Sequence, residues 1–557
     1  VTQTTVLAGD GADIIYVGSN ATATSNTGGD VNGIAALLVV DGGGGADRLD
    51  VDDSGDLAGN TGTLTGTELT GLGMASGIQY RDIQLLGIML GSGDDTFHVL
   101  STHSGDTVLA TGAGDDTVNV QSISGDTSVD SGDHDDTLNV GSTAPAGGGV
   151  LDGIDAQLSL EGGSGNNMLN VDDSGDATDN LGTLTGTTID GLGMGGGIDY
   201  TGIDSLNLDL GSGDDRMNVR GTSAVTNLDT AQGDDLIYVS SGADLGVLDT
   251  APADGDLESL HESLLHGSLD AVTGTLNIEA GAGQNTLGVS DREDADADPN
   301  VVLTATSIQG LAAATINYVA TGGDFSGQGA WALAGNRGLF GRGINIYAGT
   351  GGNSIEITDT ASDGTLATPF TQILTSVYSG GGADLVHVAA TLLDDGGRLL
   401  AVYGEGGDDT LDGRDSALPL LIFGGDDNDT LYGSVLGDFM FGDAGRDTLQ
   451  GGDSGDYLIG DEGALYYLVP AGQGGAFDII LGSLGAAIGS VTGGDGQFIT
   501  PDIVISIAAA DDANDTILGG EGADRIIGGG NDDTTGDPTV ETLDGGAGTD
   551  IVLGDHG

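Results

Sequence analysis

Apolar and polar residues alternate along this chain in short bursts, each closed by a turn rich in glycine and aspartate. Thr117-Val118-Asn119-Val120 is one burst and Thr137-Leu138-Asn139-Val140 another. Period-two patterning of this kind predicts a half-buried strand. A second, shorter burst such as Thr127-Ser128-Val129 lies between them. Two short strands and two turns per coil predict a flattened parallel β-solenoid, in which equivalent Val, Leu and Ile of successive coils stack into ladders. GSGDDTFHV begins at Gly91 and GAGDDTVNV at Gly112, so one coil is about 21 residues long. The rhythm is plainest over 403–463, which reads YGEGGDDTLDG, FGGDDNDTLYG, FGDAGRDTLQG and GGDSGDYLIG. There the leucines at 411, 431, 449 and 458 are spaced by 20, 18 and 9 residues.

A longer period encloses the coils. VDDSGD occurs at 51–56 and 171–176, GLGM at 71–74 and 191–194, and GSGDD at 91–95 and 211–215, always 120 residues apart. Tyr80 answers Tyr200 at the same offset, and a decayed third copy aligns Tyr318 with Tyr200 and Val289 with Val171 at 118. The chain therefore divides into the tail of a preceding unit (1–41), three units (42–161, 162–280, 281–403), a tight roll (404–463), an apolar insertion (464–514) and a returning roll (515–557). The pattern is open at both ends, which leads to the expectation of further repeats in a longer parent chain or of head-to-tail self-association. An uninterrupted roll of this length would extend on the order of 130 Å at about 4.8 Å per coil.

Two stretches break the rhythm. Leu257, Leu260, Leu264 and Leu265 recur at helical spacing after an Asp cap, predicting a short amphipathic helix over 254–269. The third unit carries about one extra coil over 319–348, with the sole tryptophan, Trp331; it reads as an extra coil or flap, or as a partner-contact loop.

Composition narrows the function. The net charge is −76, from 87 acidic and 11 basic residues, and every basic residue is Arg. Such a surface repels phosphate backbones, which excludes nucleic acid as a partner. The acids sit at fixed offsets from glycines and aliphatics rather than in blocks, and 38% of the residues are hydrophobic, unlike a disordered acidic chain. So much like charge opposes compaction unless cations are bound. With no cysteine, disulfides and thiolate sites are absent. No apolar run approaches the roughly 20 residues that span a membrane.

The turn phrase is G-G-x-G-x-D-x-U-x, with U a large aliphatic. Glycine permits positive φ, Asp brings a charged oxygen and the aliphatic fixes the register. Calcium takes six to eight hard oxygens at about 2.3–2.6 Å, more than one turn provides, so stacked turns would share each ion. GGEGADRII, GGAGTDIVL and GDAGRDTLQ resemble the nonapeptides of the RTX (repeats-in-toxin) calcium-binding β-roll family. The resemblance covers roughly 404–460 and 515–557, with looser phrases from Gly9 to Val388. It implies a secreted, right-handed parallel β-roll that folds on several bound Ca2+ ions. Carried onto this sequence, it implies metal ligands at Asp409, Asp429, Asp447, Asp456, Asp524 and Asp550, and in the looser phrases at Asp13, Asp47, Asp95, Asp116, Asp136, Asp215, Asp235 and Asp384. At three turns the position is Asn167, Asn285 or Asn353, which offers no charge. An Asx turn without metal is the alternative at every position. The acids Asp52, Asp53 and Asp56, repeated at Asp172, Asp173 and Asp176, form a second candidate cluster.

Enzyme chemistry finds little support. G-x-S-x-G and H-E-x-x-H are missing, and the histidines lie mostly inside repeat phrases. The expectation is a non-enzymatic extracellular protein, a stiff calcium-loaded segment of a filament, sheath, surface layer or adhesin stalk. A soluble adhesin module that binds carbohydrate or a surface on a flat strand face is the alternative, with a parallel β-helix polysaccharide lyase or epimerase behind it.

Overall fold

A computed structural model describes residues 2–250, 266–323, 325, 343–360, 372–389, 398–461, 463–467, 479–482, 503–506, 515–528 and 542–553. The chain is all-β, and its strands stack in parallel as a β-solenoid. It divides into two compact units, residues 1–233 with 271–281, and residues 234–270 with 282–557.

In the first unit each coil gives one strand to each of two sheets. Thr96–Val99, Thr117–Val120, Thr137–Val140, Met168–Asp172, Ser205–Asp209, Val225–Asp229 and Leu276–Glu279 follow one another in one sheet. Leu85–Met89, Asp106–Ala110, Thr127–Asp130 and Leu158–Glu161 do so in the other. Thr96 pairs with Thr117 and Thr117 with Thr137, steps of 21 and 20 residues, so the predicted coil length holds. Phe97, Val118, Leu138, Leu169 and Leu206 are fully buried as one ladder, and Val99, Val120, Val140, Val171 and Leu208 as a second. Asn119, Asn139, Asn170, Asn207, Asn227 and Asn277 stand between these ladders on the strands' other face. Each amide donates to the side chain of the preceding coil, at 2.6–2.8 Å from Asn139 onward.

The long repeat has a structural meaning that the turn phrases do not reveal. After the first VDDSGD corner the chain forms an antiparallel meander, Thr61–Thr65, Glu68–Gly71 and Ile78–Arg81. Its outer members pair in parallel with Leu38–Gly44 and Thr96–Val99, so the meander is built into the first sheet. The copy 120 residues later, Leu181–Leu184, Thr188–Gly191 and Ile198–Thr201, is built into the second sheet. Gly71 and Gly191 close the two hairpins at φ +84°, where a side chain would be strained and would strike the facing carbonyl. Tyr80 and Tyr200 are buried and donate their hydroxyls to the carbonyls of Thr65 and Thr185.

In the second unit Thr410–Asp412, Thr430–Tyr432, Thr448–Gly452 and Thr516–Gly522 form one sheet, and Arg398–Gly406, Leu420–Asp426, Phe439–Ala444, Tyr457–Ile459 and Arg525–Ile527 the other. Leu420, Leu421, Ile422 and Phe423 are all buried, so this strand is covered on both faces. That accounts for its continuous apolar run in place of alternation. Tyr347, Tyr378, Tyr403, Phe423 and Phe441 stack ring on ring at 4.3–4.8 Å. The step from Thr448 to Thr516 spans 68 residues, and within it Gly463–Tyr467, Ile479–Gly482 and Ile503–Ser506 form a small antiparallel sheet. The apolar insertion thus leaves the roll and returns in register. Residues 254–265 of the expected helix over 254–269, and residues 324 and 326–342 of the extra segment over 319–348, lie outside the described residues; Ile344–Tyr347 at the end of the extra segment is a strand of the second unit. Among the described residues there is a single 3-10 helix, Leu245–Thr250, and none long and apolar enough to cross a membrane.

Candidate metal centres

The turn aspartates line up one per coil. In the second unit the amide of Asp384 donates to Oδ1 of Asp409, that of Asp409 to Asp429, that of Asp429 to Asp447 and that of Asp447 to Asp515, at 2.8–2.9 Å. On the other side of the same coils the file runs from Asp438 through Asp456 and Asp524 to Asp550, at 2.9–3.3 Å. In the first unit Asp95, Asp116, Asp136 and Asn167 form a file at 2.7–3.0 Å, and Asp13 donates to Asp47 at 2.9 Å. Asp215 accepts from Asn180 at 2.8 Å, and Asp235 donates to Asn285 at 3.0 Å. Every predicted ligand therefore occupies a turn file. Asp13 and Asp550 are half-buried and the other twelve are buried. One oxygen of each accepting carboxylate is taken by a backbone amide of the neighbouring coil, a bond between coils and not a local Asx turn.

The second oxygen separates the positions. Oδ2 of Asp409, Asp429, Asp447, Asp456 and Asp524 is buried with no hydrogen-bond partner. The glycine five residues earlier explains how it fits. A β-carbon on Gly404 would lie 2.6 Å from Oδ2 of Asp409 and closer still to the carbonyl oxygen of Gly424, one coil on. Gly442 is similarly placed between Oδ2 of Asp447, at 2.5 Å, and the Gly460 carbonyl. In these tight turns an anionic oxygen and a carbonyl oxygen flank a space that only glycine leaves open.

Three of the looser turns fill that space with a donor. Thr111, Ser131 and Ser379 stand five residues before Asp116, Asp136 and Asp384. Their hydroxyls donate to the carbonyls of Ser131, Gly162 and Gly404 on the next coil, at 2.8–3.1 Å. Oδ2 of these three acids has no partner within hydrogen-bond geometry; burial raises their pKa values, and the nearby hydroxyls oppose that rise. One rotating O–H serving both acceptors reconciles the two observations. Leu90, Leu210 and Thr230 stand at the same place before Asp95, Asp215 and Asp235, while Asp47, preceded by Gly42, keeps the tight form. Where Asn replaces Asp, Nδ2 is the donor: Asn167 gives a hydrogen bond to the Gly202 carbonyl at 3.0 Å and Asn353 to the Ser379 carbonyl at 2.9 Å.

Burial drives the electrostatics. It pushes Asp447 and Asp456 up to about 9, Asp409 up to about 8 and Asp429 up to about 7, with neighbouring carboxylates adding to the rise. Burial likewise raises Asp116 to about 6, with the Thr111 hydroxyl and the Asp95 amide opposing the rise. Uncharged or cation-paired forms are therefore favoured in the tight turns.

Sequence reasoning missed two members of these files. Asp515, within ANDTIL, carries the same Asp-Thr-aliphatic ending as Asp429 and Asp447, a signal present in the sequence. Asp438 follows a turn without the G-x-D spacing, and its carboxylate is fully engaged by Ser434 and the Leu420 amide. The VDDSGD acids take up structural bonds: Asp52 accepts from the Gly29 amide and Ser54, and Asp172 from Gly149 and Ser174, which fastens a long loop to the roll.

Among the described residues no three carboxylate or imidazole groups converge on one point. A cation in the turns would rest on Asp oxygens and main-chain carbonyls, a hard donor set that suits calcium. No protein-family model matches the chain, and a search of curated proteins returns no match.

Proposed function

We propose that this chain is a calcium-binding structural repeat protein of the extracellular space, a β-solenoid segment of a filament, sheath, surface layer or adhesin stalk with no catalytic role. The observation that supports it best is the contrast between turn types. Beside Asp409, Asp429, Asp447, Asp456 and Asp524 the place is a glycine and Oδ2 is buried against a carbonyl with no donor, whereas at Thr111, Ser131, Ser379 and Asn167 a donor serves that carbonyl. A bound cation supplies the missing positive partner. Asp409, Asp429, Asp447, Asp456 and Asp524 would hold it with the carbonyls of neighbouring turns, and calcium bound there would offset the charge that a net −76 imposes. The turns closed by Thr111, Ser131 and Ser379 would keep their form without metal. Millimolar external calcium suits weak sites of this kind.

The test is calcium bound per chain, measured by equilibrium dialysis. Asp447→Ala is expected to lower the number, and an unaltered number removes Asp447 from the ligands. Removing calcium is expected to abolish much of the β circular dichroism of the second unit, with recovery on re-addition. Electron microscopy in calcium distinguishes a filament, assembled head to tail, from a monomeric module.

A further inference from the structure

The corner that follows each unit's first strand occurs three times, and the copies differ in charge. In each, a long loop is pinned by one amide to a buried carboxylate: Val31 to Asp53 at 3.0 Å, Leu151 to Asp173 at 2.9 Å and Leu269 to Asp291 at 2.6 Å. The residue after the pin is Asn32, then Asp152, then Asp270.

In the first copy Asn32 and Asn60 both donate to Oδ2 of Asp56, at 2.9 and 3.0 Å, so two amides hold one carboxylate. In the second, Asn180 still donates to Asp176 at 2.8 Å, but Asp152 has taken the place of Asn32. In the third, Asp270 replaces Asn32 and Asp298 replaces Asn60, so carboxylates stand at both positions whose amides hold Asp56 in the first copy, and Asp294 and Asp270 act as charges on Asp298. Asp173 and Asp291 are each 1% exposed, and Oδ2 of each is buried with no hydrogen-bond partner. The charges acting on Asp173 are Asp176, Asp215 and Asp152, and those acting on Asp291 are Asp294, Asp298 and Asp270.

We propose that the second and third corners are binding sites for a hard divalent cation of the calcium class, and that the first corner is not. The donors are carboxylate oxygens with no nitrogen or sulfur among them, which selects calcium over the transition metals. The buried Oδ2 of Asp173 or Asp291 forms the floor. Asp152 and Asp270 are exposed, and the ion draws them inward, since no three side chains yet converge. A bound ion locks the pinned residue, Leu151 or Leu269, to the roll in the second and third copies, a task the Asn32 amide performs in the first. These sites are separate from the space beside the turn glycines and do not depend on its occupancy.

The internal difference between copies supplies the test. The double substitution Asp152→Asn with Asp270→Asn restores the first copy's residue at both pins and is expected to lower calcium bound per full-length chain by two. The first corner has Asp56, Asp95 and Asp30 around Asp53 but no acid at the pin; Asn32→Asp supplies one, as in the second corner, and is expected to raise the number by one. Equilibrium dialysis reads both, and circular dichroism checks that each variant keeps its fold. Unaltered numbers in both natively folded variants overturn the proposal, whatever Asp447→Ala shows about the turn files.

Discussion

Removing calcium should make the second unit's stability fall as pH rises, the reverse of ordinary acid denaturation. Asp384, Asp409, Asp429, Asp438, Asp447 and Asp456 are buried, and burial sets their folded-state values at about 7, 8, 7, 7, 9 and 9. An unfolded Asp titrates near about 3.9. Below that value both states are protonated and these groups exact no penalty. Above it the unfolded chain ionises while the folded carboxyl keeps its proton, so each group withdraws about 1.4 kcal/mol per pH unit until its folded value is reached. By pH 7 that is about 4 kcal/mol per group, so two or three such groups already match a typical net stability of about 5–15 kcal/mol. The metal-free roll should therefore be folded near pH 5 and largely unfolded near pH 8. Bound calcium stabilises the ionised form and should hold the melting temperature level or raise it over the same interval. Thermal melts followed by circular dichroism at pH 5 and 8, in buffer stripped over a chelating resin and again with calcium, make the comparison. A calcium-free melting temperature that is constant or rises with pH would refute the burial of these carboxylates without a cation.

Two further perturbations probe the fold. Gly442→Ala places a β-carbon against Oδ2 of Asp447 and the Gly460 carbonyl at a φ that alanine accepts, so the cost is steric, about 1–3 kcal/mol or more, whereas Gly406→Ala meets nothing within 4 Å and should be near neutral. Denaturant unfolding with calcium present compares the two, and equal midpoints would count against the cradle. Asn170→Ala removes an acceptor from Asn207 and a donor from Asn139, and should cost about 1–3 kcal/mol by the same assay, with no loss of bound calcium.

The parts of this molecule that are legible in its sequence repeat with a fixed side-chain signature. Alternation at Thr117–Val120 and Thr137–Val140 identified strands because one face of each packs into the core. The turn acids were legible because the Asp, the preceding glycines and the following aliphatic are each required by the backbone path. The meanders were not, although GLGM and Tyr80 marked their positions. A hairpin folded back within a parallel sheet uses the same period-two alternation as a strand that continues the coil, so direction leaves no trace in the pattern. The difference between tight and loose turns was missed for another reason. It resides in a residue five positions away, Gly442 or Thr111, whose effect appears only when the next coil is stacked on it. The amide file from Asn119 to Asn277 was half visible, since Asn119 and Asn139 share an outward strand position, but donation from coil to coil is a property of the stack.

The two meanders of the first unit also bear on the straightness of its coil axis. Each adds two strands to one sheet without adding any to the sheet opposite, where Leu85–Met89 pairs directly with Asp106–Ala110 and Ser205–Asp209 with Val225–Asp229. At about 4.8 Å per strand, each is a wedge of about 10 Å driven into one side of a stack. A single wedge would turn the coil axis, and two on one side would curl it. Because 120 residues comprise an odd number of half-coils, the second wedge enters from the opposite side and reverses the deflection of the first. Gain or loss of one half-coil between them would place both on the same side, so the length of the repeat is itself under mechanical constraint.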